Sequence, residues 1–396
     1  MQLPSVCHPL LEEITTRLPG LRPAQRDGLA LWVYGVIEAQ TGCESRVVNA
    51  LDGIERANTR RQYLREFLKD GADKAAPCAT QVEITPCFPQ LLRWLLDHWV
   101  GREVVLAMDP TTLGDELTAL VISVLYRSRA IPVAWQILPG NQPGGFIAPL
   151  VELLQALQPG VPRGKRVLVL TDRGLWSPRL FRQLKLQRWH PVMRVQRDVQ
   201  VWLRKGRRVA ADTLTPRYNQ AWVGRAIVHK ERSRRLWVTV VVVWEPGHEQ
   251  PWVLFTDLPP TVVGLRWYGL RMWIECGFRD LKHFGWDWEH TRRRDPTRVA
   301  RHWLVLAVAT LWVLAAGTAS EDAVRPHGAG PPPALTGKRL VSVFQLGLAA
   351  LRAVFARRRR WPKLRFVPER LPTPGPDLAI TYYAPGPPRN SPYLPI

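Results

Sequence analysis

A chain of 396 residues can bury a sizeable core, which excludes a peptide hormone, a lone zinc finger or a disordered tail. With 46% hydrophobic and 22% charged residues, its composition is that of a globular protein. The 55 Lys and Arg against 33 Asp and Glu leave a net charge of +22, which predicts a polyanionic partner. Of these cations 46 are Arg and nine are Lys. Arg grips phosphate through a bidentate fork where Lys acts as a point charge, so the ratio suits phosphate recognition; high-GC coding bias would enrich Arg equally well.

Five cysteines, Cys7, Cys43, Cys78, Cys87 and Cys276, are odd in number and lack CxxC spacing. That argues against a disulfide framework and a structural zinc, and fits a reducing cytoplasm. The opening MQLPSVCHPLLEEI lacks the charged segment and apolar run of a secretory signal. No repeat of solenoid or propeller period is visible. Residues 303–319, WLVLAVATLWVLAAGTA, fall short of the span of about 20 that a membrane requires, and Arg298, Arg301 and His302 stand just before them. They are expected to form a buried core helix, with no membrane association.

In chain order, residues 1–95 read as an all-helical N-terminal domain, with apolar runs around Leu10–Leu18 and Ala24–Gln40 and a basic stretch, TRRQYLREFLKDG, ending at Gly71. Arg60, Arg61 and Arg65 suit both a DNA-docking module and an ordinary helical cap with a solvated face. Residues 96–190 turn β-rich: EVVLAMD, LTALVISVLY and AIPVAWQIL predict a three-stranded meander. A helix over 146–157, the strand RVLVLTD and a helix opening at Ser177–Pro178 follow. This order is the ribonuclease-H-like succession of an α/β core. Residues 191–262 read as a β-rich insertion into that core, and 263–325 as its second part, opening with a helix over 263–284. A basic helical region (326–370) and a Pro-rich tail (371–396), expected to be extended or disordered, complete the chain.

Asp109 closes the strand segment VLAMD and Asp172 closes VLVLTD. Strand-end carboxylates in an α/β sheet lie where ligands bind, although Asp is also a turn former. The helix WYGLRMWIECGFRDLKHFG supplies a third acid. At about 100° per residue, Tyr268, Arg271, Glu275 and Lys282 share an arc of about 60°, whereas Trp267, Leu270, Ile274, Phe278 and Leu281 form a separate apolar arc. Asp280 lies about 140° from Glu275 and is not expected to join it. Asp115 and Glu116, in GDEL, read as a solvent-facing hairpin turn.

The spacing Tyr-x2-Arg-x3-Glu-x6-Lys at Tyr268, Arg271, Glu275 and Lys282, with Asp109 in DPTTL and Asp172 in TDRG, resembles the signature of the insertion-sequence-four (IS4-type) family of DDE transposases. The resemblance covers roughly residues 100–320. It implies a ribonuclease-H-like catalytic core interrupted by a β-rich insertion, acting on DNA. It implies that Asp109, Asp172 and Glu275 are catalytic and ligate Mg²⁺, with two ions and Mn²⁺ as a substitute. Hard Mg²⁺ takes carboxylate oxygen and needs no Cys or His cage. By the same resemblance Arg271 and Lys282 hold phosphates flanking the cut, Tyr268 bonds a backbone phosphate, and Trp252, in PWVLFTD, stacks a base flipped from the duplex. Packing inside the insertion is an alternative role for Trp252.

The expected function is cut-and-paste transposition: metal-dependent cleavage and strand transfer of the ends of the protein's own insertion sequence. The expected partners are double-stranded DNA, as inverted ends and target, and a second copy of the chain in a homodimer, in the bacterial cytoplasm with the nucleoid. Two alternatives stay open at this point: a catalytically silent DNA-binding regulator derived from a transposase, and a ribonuclease-H-like DNA nuclease.

Overall fold

The structure, a computed structural model, describes residues 3–51, 53, 56–74, 80–140, 145–203, 206–215, 217–229, 231, 235–245, 247–323, 340–373 and 378–383. Helices α1 (His8–Arg17), α2 (Pro23–Ala39), α3 (Glu44–Ala50), α4 (Ala57–Leu68) and α5 (Cys87–Asp97) come first. Strands β1 (Glu103–Leu113), β2 (Leu117–Tyr126) and β3 (Arg129–Pro139) lead to α6 (Ile147–Leu157). Then come β4 (Arg166–Thr171), α7 (Pro178–Leu186) and β5 (His190–Arg194). Strands β6 (Gln200–Trp202), β7 (Arg208–Ala210), β8 (Gln220–Val228), β9 (Leu236–Trp244) and β10 (Trp252–Thr256) precede α8 (Met272–Arg279). Helices α9 (Pro296–Ala323) and α10 (Val343–Ala356) and strand β11 (Ala379–Tyr383) complete a mixed α/β chain. It divides into two compact units, Met1–Lys165 with Leu270–Arg370, and Arg166–Gly269 with Leu371–Ile396.

In the first unit β1, β2 and β3 form an antiparallel meander, with Asp109 opposite Val121. Every residue of β2 is buried, as in a strand covered on both faces. The β2–β3 link has two residues, Arg127 and Ser128, both with positive φ (43° and 63°), the twist that a tight hairpin demands. Neither is Gly. Arg127 is held there by Glu321 and Asp322 of α9 at 2.5 and 2.9 Å, and its Nε donates to the Val367 carbonyl at 3.0 Å.

Helix α9 contains the apolar run singled out above. It is long and apolar enough to cross a membrane, yet 89% of its most apolar window is buried inside the protein. It packs on β3, α2, α4 and α10. Against α10 the approach is backbone to backbone: a Cβ on Gly347 would stand 1.8 Å from the Val313 carbonyl oxygen, and one on Gly317 would stand 1.9 Å from that of Val343. The buried Arg301 of α9 finds its partners close by. It donates to the Leu68 and Val82 carbonyls and pairs with Asp70 at 2.8 Å.

The stretch 263–284 is not one straight α-helix. It runs as a 3-10 turn (Trp267–Arg271), then α8, then a π turn (Asp280–Phe284). The uniform wheel expected from the sequence therefore loses phase past Arg279, because each π residue adds less rotation than an α residue. What anchors the change is Asp280. It turns inward, is 9% exposed, and meets Arg129 of β3 at 2.8 Å. Gly277 lets α8 sit close on β3, since a Cβ there would come within 2.8 Å of the Ala130 Cβ.

In the second unit β4 and β5 pair in parallel, and α7, whose Pro178 occupies its first turn, packs on β5. The Ser177 hydroxyl caps α7 by accepting from the Arg179 amide at 3.2 Å. The strands then continue in the order β5, β10, β9, β8, β6, β7. Strand β11 adds in parallel to β8, so Ala379–Tyr383 of the Pro-rich tail is extended and paired into the sheet. Its AITYY segment is β-branched and aromatic and lies between the prolines, which leaves its donors free to pair.

The packing has two measurable consequences. Alanine has the better helix propensity by about 1 kcal/mol, yet Gly347→Ala is expected to destabilise the protein by roughly 1–3 kcal/mol in urea unfolding, because a backbone carbonyl cannot move aside; unchanged stability would remove the close α9–α10 approach. Burial pushes the Asp280 carboxyl up to about 7, with Arg129 and Arg279 opposing. A carboxyl raised on folding favours the native state in acid, and that contribution fades as pH rises from about 4 through about 7. Asp280→Asn is expected to flatten that part of the stability profile; a profile identical to the wild type would refute the assignment.

Candidate active site

In the first unit, the chemistry gathers on Arg271. This residue ends the 3-10 turn and forms the N-cap position of α8, while Glu275 lies one turn further on. Helix α8 packs on β1, β2 and β3, which carries Arg271 to the strand residue Asp109. The Arg271 guanidinium donates to Asp109 Oδ2 and to Glu275 Oε1, each at 2.9 Å. Its side chain is 12% exposed, while that of Glu275 is 53% exposed. One planar cation therefore holds two carboxylates that would otherwise repel.

Asp109 does not end its strand, as the sequence suggested. β1 continues through Pro110 to Leu113. A proline can extend a strand where its nitrogen needs no ladder partner. Asp109 instead marks the point where the buried run Val104–Met108 opens toward solvent. The GDEL segment is the β1–β2 turn, where Glu116 pairs with Arg294 at 2.9 Å.

In the second unit, Asp172 follows β4 and begins a 3-10 turn, Arg173–Leu175. Tyr268 donates its hydroxyl to Asp172 Oδ1 at 3.3 Å. Trp252 and Tyr268 pack edge to face with ring centroids 5.1 Å apart, and the His248 ring lies 4.3 Å from that of Trp252. Trp252 is half-buried, so it packs against the site tyrosine and keeps part of its surface open. Arg194 is a site residue that sequence reasoning missed. It stands 3.9 Å from Asp172 Oδ1 and 6.0 Å above the Trp252 ring. The signal is a matter of register: Arg194 pairs with Leu254, which puts it on the same sheet face as Trp252, two residues along.

The structure thus gathers Asp109, Arg271 and Glu275 in one unit and Asp172, Tyr268 and Trp252 in the other. Lys282, on the π turn, pairs with Glu289 at 3.2 Å, a partner outside the signature. Among the described residues no three His, Cys, Asp or Glu side chains form a ready metal cage. The carboxylate oxygens of Asp109 and Glu275 converge on one cation, the Arg271 guanidinium, and carboxylate oxygen is the donor type that a hard divalent ion takes.

No curated protein matches the chain in sequence. Among solved structures it is similar to a piggyBac transposase in a synaptic complex with hairpin DNA, determined by cryo-EM. The TM-score is 0.39 at 9% identity, over 90% of this chain and 79% of that one. The model of the transposase DDE domain family matches residues 101–312, more than half of the chain, and spans Asp109, Asp172 and the whole signature stretch from Tyr268 to Lys282. The chain therefore belongs to the family of transposase DDE domain proteins.

Proposed function

We propose that this protein is a cut-and-paste transposase of the IS4 type, which cleaves the ends of its own insertion sequence and transfers them to target DNA. The observation that carries the reading is the bridge made by Arg271 between Asp109 and Glu275, inside the stretch that the family model matches. In this reading Asp109, Asp172 and Glu275 belong to one ribonuclease-H-like catalytic core and are the ligands of two Mg²⁺ ions, with Mn²⁺ as a substitute. The bound ions would polarise the scissile phosphodiester and stabilise the charge that develops in an in-line displacement.

The chain's own residues do the rest. Arg271 bridges both acids and holds them close together, and its planar fork of donors suits a DNA phosphate. Tyr268 orients the Asp172 carboxylate through its hydroxyl. Lys282, oriented by Glu289, is a second phosphate contact. Trp252 presents an aromatic surface beside Arg194, a pairing suited to receiving a base turned out of the duplex. No protein nucleophile is required: water attacks first, and a DNA 3′-OH attacks next. The remaining parts of the proposal are assembly as a homodimer on paired inverted ends, a helical N-terminal domain over 1–95 that binds DNA, and action on the nucleoid in the bacterial cytoplasm.

Two substitutions test the reading on DNA that carries the element's ends. Glu275→Gln is expected to abolish Mg²⁺-dependent nicking and to leave end binding within about twofold; persistent nicking would remove Glu275 from the chemistry. Arg271→Ala is expected to lower single-turnover cleavage roughly 10²-fold or more while binding changes little. A fall in binding alone would make Arg271 an ordinary DNA contact.

A further inference from the structure

Unit one also carries a groove of about 910 Å³, none of whose lining residues belongs to the carboxylate cluster. Its walls are α3 and α4 on one side and residues 287–298 on the other. Arg46, Arg61, Arg65, Arg292, Arg294 and Arg298 line it, together with Arg293 and only three carboxylates, Glu44, Asp287 and Asp295. The carboxylates act largely as a frame. Glu44 takes Arg65 at 2.7 Å and Arg293 at 2.8 Å, which ties the two walls together. Gly42 donates its amide to the Trp286 carbonyl at 2.5 Å, a second tie between the same two stretches of chain.

Of the remaining cations, Arg46 meets Asp287 at 3.5 Å, Arg294 meets Glu116 at 2.9 Å and Arg298 meets Asp73 at 2.6 Å. Arg46 and Arg294 are 69% and 78% exposed in their side chains. Arg61 bonds its neighbour Asn58 at 3.4 Å, and among the described residues neither Arg61 nor Arg292 has a carboxylate partner. The backbone beneath is specialised as well. Asp287 and Arg292 bracket the 3-10 turn Trp288–Thr291 with φ of 52° and 54°, a left-handed conformation that costs a non-glycine residue about 1 kcal/mol or more. Such strain persists where the surroundings over-determine it, and it clusters at ligand clamps. Here the buried Trp288 fixes the turn and the run Arg292–Arg294 is delivered to the groove.

The lining also says which polyanion fits. It contains no Trp, Tyr or Phe, and its one ring, His290, is tied to Asp287, so a single strand or a nucleotide would find little stacking surface for its bases. Guanidinium groups spread along an open groove match the phosphates of a duplex, whose bases remain stacked. We infer that this groove is a second duplex-DNA site, which grips the backbone without reading sequence and lies outside the residues of the cut. The choice of DNA as the polyanion rests on the transposase reading. Of the basic stretch noted in the sequence, Arg61 and Arg65 line this site, while Arg60 is 4% exposed and takes no part.

The test uses the full chain with Arg61→Gln, Arg292→Gln and Arg294→Gln combined, on duplex and single-stranded DNA of arbitrary sequence without divalent metal. Duplex affinity is expected to fall roughly tenfold or more, and the log–log salt slope to shrink by about 0.9 for each phosphate that is no longer neutralised. Arg292→Gln with Arg294→Gln, both outside residues 1–95, is expected to leave single-turnover nicking at saturating DNA at the wild-type rate, and the corresponding triple Lys variant to recover most of the affinity. If the triple Gln chain melts early, Arg292→Gln alone carries the test, with a slope change of about 0.9. Unchanged duplex affinity and slope, or a weakening confined to single strands, would overturn the site. A wild type that never nicks element ends, but whose duplex affinity falls when these arginines are replaced, would instead refute the transposase reading and leave the groove standing.

Discussion

The interaction on which the first unit's chemistry depends is the Arg271 guanidinium between Asp109 and Glu275. Two carboxylates on different elements come together only if something cancels their repulsion. In this chain that is one side chain, placed by a 3-10 turn and the first turn of α8. The close seating of α8 on β3 at Gly277, and the inward Asp280–Arg129 pair at its far end, hold the helix that carries both Arg271 and Glu275. Packing around α8 is thus also positioning for the acids.

The +22 charge resolves into distinct tasks once the arginines are located. Some are structural: Arg127 is fully buried against Glu321 and Asp322, and Arg301 spends its donors on backbone carbonyls and Asp70. These replace apolar cross-links with charged ones that hold the β2–β3 hairpin and the N-terminal helices to α9. Others line an open groove, where Arg61 and Arg292 have no carboxylate partner among the described residues. The second kind, unlike the buried one, is placed to meet the phosphates of the polyanion that the total charge suggested.

Much of this was legible in the sequence, because periodicity and turn chemistry are local. The meander of β1–β3, the buried strand β4, the Ser177–Pro178 helix start and the buried nature of α9 all follow from short-range pattern. The acids and the Tyr268–Lys282 stretch were legible as spacing. What failed was the assumption of uniform geometry. A wheel cannot anticipate a 3-10 start or a π turn; Lys282 lies on that π turn and pairs with Glu289. Arg194 was invisible because its nearness to Asp172 and Trp252 depends on the β5–β10 register. The AITYY strand was hidden by prolines around it, and the arginine groove by the distance in sequence between α3–α4 and residues 287–298.

Asp109, Asp172 and Glu275 are proposed to serve one metal site, although the first and last are tied by Arg271 and the second by Tyr268. Mn²⁺ binding to the protein on end DNA, followed by electron paramagnetic resonance, tests this directly. The expected result is about two bound ions per active site in the wild type, with a comparable fall in affinity in Asp109→Asn, Asp172→Asn and Glu275→Gln. An Asp172→Asn chain that binds Mn²⁺ as the wild type does would contradict it.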